Sequence, residues 1–177
     1  MDHPTHARAP EHLTVGTDEI TLRVTSDATA GALLAADVTL PAGGGPPMLH
    51  RHEPAELYRV HQGELALYVE DDDGDVQRIA AQPGAVVHIP GGRAHTVRNE
   101  SEDEARAYVV FAPGTGIERF IREAATLTAA GPPHIEDVLA LAEQHGIKTT
   151  GPIPTDAPAT STHTAHHWPT DHRTSSR

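Results

Sequence analysis

Three histidines and one glutamate stand at spacings that suit a single chemical task. His50 and His52 are two residues apart, Glu56 follows, and His95 comes much later in the chain. In a strand alternate residues share a face, so the imidazoles of His50 and His52 point the same way. Glu56 has the same parity and converges on them if the break at Pro54 acts as a bulge. His95 follows the turn Pro90-Gly91-Gly92, on a later strand. Three imidazoles and a carboxylate directed into an interior need partners, because a buried polar group without one is costly. One divalent cation satisfies all four. The nitrogen and oxygen donors suit iron, manganese, nickel or cobalt, with zinc possible. Four protein ligands on a roughly octahedral ion leave about two positions open, whereas a structural zinc site tends to be closed.

The elements that must position these side chains are short strands. Runs rich in Val, Leu, Ile and Thr alternate with Gly, Pro and Asp at 19–25, 33–40, 56–60, 64–70, 76–80, 85–89, 96–99 and 105–111. Gln62-Gly63, Asp71 to Asp75, Pro83-Gly84 and Pro90 to Gly92 read as the turns between them. This spacing predicts a sandwich or barrel. After Pro113 the apolar period changes to about 3.6. Ile117, Phe120, Ile121 and Ala124 form one helical stripe, with Thr115 and Glu118 placed as a capping box. Ile135, Val138, Leu139 and Ala142 form a second, stopped by Gly146. Both stripes are expected to pack on the barrel or on a second subunit.

The expected organisation is a flexible lead over 1–11, one domain over 12–148 (barrel about 12–113, helices about 115–146), and a disordered tail over 149–177. The tail expectation rests on a Thr, Pro, Ser, Ala and His composition with too little apolar surface to offset chain entropy. The chain carries a formal net charge of -12, with 25 acidic against 13 basic residues, and no Lys/Arg cluster. Phosphate backbones are therefore poor partners. There is no cysteine, which excludes disulfides and thiolate ligands. No apolar run approaches the ~18 residues of a membrane span, and residues 1–12 lack the apolar core of a secretory signal. A cytoplasmic protein is the expectation.

Two stretches tie the four candidate ligands to a known family. Gly44, His50, His52, Glu56 and Gly63 match the pattern G-x5-H-x-H-x3,4-E-x6-G, and Gly84, Pro90, Gly92, His95 and Asn99 match G-x5-P-x-G-x2-H-x3-N. These are the two motifs of the cupin superfamily, which the segment 33–111 closely resembles. The resemblance implies a jelly-roll β-barrel with a metal in its mouth, held by His50, His52, Glu56 and His95. Softer likenesses point further. Gly43 to Pro47 before the HxH, Phe111 to Phe120, and Leu141 to Ile147 before Gly151-Pro152 are similar to bacterial quercetinase-like monocupins. The spacer Glu53-Pro54-Ala55 is one residue shorter than is common there.

That resemblance implies a metal-dependent dioxygenase acting on an enolic or phenolic small molecule, with dioxygen as co-substrate and a homodimeric assembly. Glu56 would be both ligand and catalytic base. Other cupins with such a site are non-redox isomerases, lyases or cyclases, and some are binding proteins without a reaction. Met48, Tyr58 and Val60 are expected as barrel core or pocket lining, and His61 and His88 as core or surface. Arg93 and Arg98 read as solvated residues or anion partners beside His95. The acidic run 70–75 is not a calcium loop, because Val69 and Ala80 occupy its first and last ligand positions. His163, His166, His167 and His172 read as incidental residues of a solvated tail.

Overall fold

The strands predicted from alternation assemble into two facing six-stranded sheets, in a computed structural model that describes residues 9–161. In chain order they are β1 (Glu11–Val15), β2 (Asp18–Val24), β3 (Leu34–Leu40), β4 (Met48–Arg51), β5 (Ala55–Gln62) and β6 (Leu65–Glu70). There follow β7 (Val76–Ala81), β8 (Val86–Ile89), β9 (His95–Arg98), β10 (Ala105–Ala112), β11 (Lys148–Pro152) and β12 (Ala159–Ser161). One sheet has the order β1-β2-β3-β10-β5-β8 and the other β11-β4-β9-β6-β7-β12. Two helices, α1 (Thr115–Ala129) and α2 (Ile135–Gln144), lie between β10 and β11. The architecture is the all-β jelly roll with two C-terminal helices that the sequence implies.

Period-two burial makes the barrel. Along β5, Glu56, Tyr58 and Val60 are buried while Leu57, Arg59 and His61 are exposed, and along β8 Val87 and Ile89 alternate with exposed Val86 and His88. Leu34, Val60, Leu65, Leu67, Ile89 and Val109 are almost wholly inaccessible and form the centre of the core. Truncating one such leucine to alanine costs about 2–5 kcal/mol, a large share of a domain's net stability. Gly45 marks a close approach: it has φ +96°, and a Cβ there would collide with the Val97 carbonyl.

Three expectations need correction. The proposed capping box is not formed, since no side chain caps the start of α1. The Glu118 carboxylate instead accepts from the buried Ser26 N–H at 2.5 Å and pairs with Arg122, which also reaches Glu11. A tie between helix and barrel outcompetes a local cap. The lead is also shorter than expected, because Glu11 already pairs with Leu22.

The third correction concerns the tail. Residues 148–152 pair with β4 and residues 159–161 run parallel to β7, so this segment spans from one edge of its sheet to the other. Ile153 and Ala157 pack on the cluster of Leu49, Ala66 and Tyr68 along the way. The composition argument misses this because an edge strand offers unpaired backbone groups, which a Thr-rich segment satisfies through its main chain. The four tail histidines lie outside the described residues.

The first stripe turns onto the barrel of its own chain and the second does so in part, with Ile135 left exposed. Ile117 and Ile121 of α1 and Ala142 of α2 join the main core, and Phe120 packs against it. Gly146, at φ +77°, ends the second helix as expected, with the Ile147 N–H returning to the Ala142 carbonyl at 2.9 Å.

Candidate metal centre

The four residues singled out by spacing come from three strands and the turn after one of them. His50 sits on β4 directly opposite His95 on β9, and Glu56 on β5 lies opposite Ile89 and Phe111. His52 follows β4, so its placement depends on the break before Glu53-Pro54. Gly92 closes that break from the other side by donating its N–H to the His52 carbonyl at 2.7 Å. The Pro54 interruption, which the sequence left as a bulge, is the bend that brings Glu56 back to the histidines.

The three imidazoles are mutually close, with ring centroids 5.7 Å apart for His50 and His52, 4.7 Å for His50 and His95, and 4.8 Å for His52 and His95. One ring nitrogen from each falls within 4.8 Å of the others, a cluster that could hold a metal ion. His52, Glu56 and His95 are buried and His50 is partly so. Each Nδ1 faces a backbone carbonyl: His50 with Met48 at 3.3 Å, His52 with Pro54 at 2.9 Å and His95 with Arg93 at 2.9 Å. A carbonyl only accepts, so these contacts put the proton on Nδ1 and leave Nε2 as a lone pair. Such an outer carbonyl is the usual way a ligating histidine is oriented.

The Glu56 Oε1 atom then lies 2.8 Å from His52 Nε2 and 3.3 Å from His95 Nε2. Lone pair faces lone pair unless a proton or a cation intervenes. Its second oxygen, Oε2, is buried with no hydrogen-bond partner among the described residues. An orphaned buried carboxylate oxygen beside three converging imidazoles is the chemistry of a cation site, and the residues present fit a divalent metal.

With a proton in the place of a cation, the electrostatics couple Glu56 directly to His52 and His95. Burial, with His95 adding to it, pushes His50 down to about 4, so it is a neutral donor at ordinary pH. Burial alone would raise Glu56, but His52 and His95 outweigh it and hold the carboxyl well below its usual range. Burial likewise works against charge on His95, and Glu56 reverses this to raise it. The phenol of Tyr58 is held far above its ordinary value, first by burial and then by the neighbouring carboxylate of Glu56, with Asp18 contributing.

The cluster lines a cavity of about 220 Å³. Met48 and Tyr58 line it too, whereas Val60 belongs to the barrel core. Its remaining wall is largely apolar and includes Val15, Ile20, Val38, Phe111, Phe120 and Leu139. Arg93 and Arg98 are not at the site. Arg93 binds Asp72 and the Asp71 carbonyl, and Arg98 binds the Gly43 and Gly45 carbonyls. His61 and His88 are exposed on the outer face of their sheet. Asn99 is a clasp: its amide donates to the Leu40, Pro41 and Asp103 carbonyls, which joins two loops.

Two polar cavity residues escaped the sequence reading. Asp18 starts β2, and Thr149 stands opposite His50 on β11. Asp18 sits in a turn-like Gly-Thr-Asp-Glu string where a solvated acid is the default, and nothing in the sequence separates it from that. No helix among the described residues is long and apolar enough to cross a membrane.

Two facing sheets, antiparallel but for the short β7–β12 pairing, closed around a buried histidine cluster define a β-barrel of the jelly-roll class. More narrowly, residues 36–111 match the family model described as the cupin domain, so this stretch of the barrel is similar to a cupin domain. No curated sequence matches the chain. Among solved structures, the polyketide cyclase RemF from Streptomyces resistomycificus is 19% identical with a TM-score of 0.49, over 64% of this chain and 80% of the other. An oxalate oxidase is 23% identical with a TM-score of 0.48, over 74% and 67% respectively. A predicted oxalate decarboxylase from Thermotoga maritima is 20% identical with a TM-score of 0.47, over 63% and 98%.

Proposed function

We propose that His50, His52, Glu56 and His95 hold one divalent transition metal, and that the protein is a dioxygenase acting on a largely apolar enol or phenol. The observation that carries this reading is the convergence of three imidazoles on the buried Glu56 carboxylate at one end of a largely apolar cavity. Iron, manganese, nickel and cobalt all suit the donor set. A metal bound there supplies a Lewis acid for the substrate oxygen and a place for dioxygen beside it.

The chain's own residues do the rest. The three carbonyls on Nδ1 fix the imidazoles, so little reorganisation is needed when a cation arrives. Glu56 takes the proton of the substrate hydroxyl at Oε2. A carboxylate held against a cation is too weak a base for this, so we assign the base role to the state in which substrate entry partly detaches it. The apolar wall excludes water and accepts a hydrocarbon or aromatic body. Among the described residues no Lys or Arg side chain lines the cavity, which disfavours a small dianion as substrate, since desolvating its second charge would go uncompensated.

The metal-loaded chain should consume oxygen with 3-hydroxyflavone as test substrate. Glu56→Gln should lower that rate by at least about 100-fold, the usual worth of a positioned base. Equal turnover under nitrogen would reassign the protein to the non-redox cupins, and an unchanged rate in Glu56→Gln would remove the role given to Glu56.

A further inference from the structure

Among the described residues, Asp18 is the one charged side chain in the cavity wall outside the four-residue cluster. It lies at the start of β2, between Val15 and Ile20, which also face the cavity. Both carboxylate oxygens approach the Gly45 N–H at 3.1 Å, and Oδ1 also receives the Thr17 hydroxyl at 3.3 Å. A carboxylate has about four lone-pair positions, so these contacts leave Oδ2 able to accept another donor. Arg98 lies near enough to act on its charge, but the guanidinium is committed to the Gly43 and Gly45 carbonyls. Burial raises the Asp18 carboxyl despite Gly45, Thr17 and Arg98, so the site spends stability to keep an acid there.

Holding the Gly43 to Gly45 turn does not require that expense. Asparagine would offer Gly45 the same acceptor without a charge to desolvate. Arg98 already grips the turn from its other side. What an amide cannot supply is a strong acceptor in an apolar cavity, where a charge-assisted hydrogen bond is worth more than in water.

Building on the aromatic-enol reading, we propose that Asp18 is a specificity residue that accepts a hydrogen bond from a second hydroxyl of the substrate. The ligand class is then a hydroxylated aromatic. One oxygen function meets the cluster of His50, His52, Glu56 and His95, an apolar ring system fills the middle, and a phenolic O–H reaches Asp18. A site built for a hydroxyl rejects the analogue that lacks it far more strongly than an apolar pocket discriminates by size.

The test is a ligand–protein double-mutant cycle on the full chain loaded with cobalt(II), read as dissociation constants from the visible spectrum. The ligands are 3-hydroxyflavone and its 3,5-, 3,6-, 3,7- and 3,4′-dihydroxy analogues. At least one dihydroxy isomer should bind the unaltered protein about tenfold or more tighter than 3-hydroxyflavone. That advantage should shrink to about twofold or less in Asp18→Asn, which should bind 3-hydroxyflavone itself as before and show the same cobalt spectrum. Arg98→Met, which loosens the same turn, should keep the advantage. The proposal is overturned if no isomer is favoured, if the preference survives in Asp18→Asn, or if Arg98→Met abolishes it equally. Failure of 3-hydroxyflavone to bind cobalt-loaded protein at all would sink the aromatic-enol reading and this one with it. Tight binding without positional preference would sink this one alone.

Discussion

The polar end of the cavity and its helical wall are built on opposite terms. At the polar end, four side chains of fixed type are held by individual contacts: three Nδ1–carbonyl bonds, a cross-strand pair of His50 and His95, and a bend at Pro54. In the helical wall, Ile117, Phe120, Ile121, Val138 and Leu139 need only be apolar and of suitable size. The first is a matter of chemical identity and the second of periodicity. On the proposed reading, the polar end would set what kind of atom is bound, while the wall and Asp18 would set the body attached to it.

The sharpest way to break that division is to remove a ligand. His95→Ala should weaken cobalt(II) or manganese(II) binding by more than the 10- to 100-fold (roughly) that loss of an outer partner costs, with an unchanged far-ultraviolet spectrum. Leu139→Asp should do the reverse. A carboxylate in the apolar wall should weaken 3-hydroxyflavone binding by about tenfold, at a desolvation cost in the range of buried polar groups, while metal affinity stays put. If metal and ligand binding fell together in both variants, the two regions would not be separable.

A smaller effect sharpens the comparison from outside the cavity. Strand β4 pairs with β9 only at His50, but with β11 at four positions, including Thr149 opposite His50. The segment after β11 is pinned by Ile153. Ile153→Asp should expose β4 and β11 amides to hydrogen exchange and weaken metal binding by less than about tenfold, because one ligand of four is loosened rather than lost.

The smallest effect lies in the tie between α1 and the barrel. The folded-state carboxyl of Glu118 lies below its ordinary 4.5, with burial opposed by Ser26 and Arg122. A depressed carboxyl contributes stability above its unfolded value and loses it as pH falls through the folded one. Glu118→Gln should therefore cost about 1–2 kcal/mol near neutrality. The difference from the unaltered chain should shrink below pH 4.5, which urea titrations across that range would show. A constant difference at every pH would mean the charge is not what ties the helix down.

The same contrast explains what could be read from the sequence. The cluster was legible because ligand types at strand parity leave few alternatives, and the barrel strands because alternation and Gly/Pro turns agree. The helical stripes were legible from period alone. What escaped was decided by partners remote in sequence. Glu118 satisfies Ser26 rather than its own helix end, and residues 148–152 and 159–161 become strands by pairing with β4 and β7. Asp18 reads as a surface turn until the barrel closes over it.

The most direct test of the central claim is the metal content of the full chain, purified without an affinity tag or a metal column. It should be compared with a variant in which His163, His166, His167 and His172 are replaced by asparagine. The account predicts about one divalent transition ion per chain in both, by the donor-set argument, and its loss in His95→Ala. Protein that comes out metal-free, and takes up neither iron, manganese, cobalt nor nickel on addition, would contradict it.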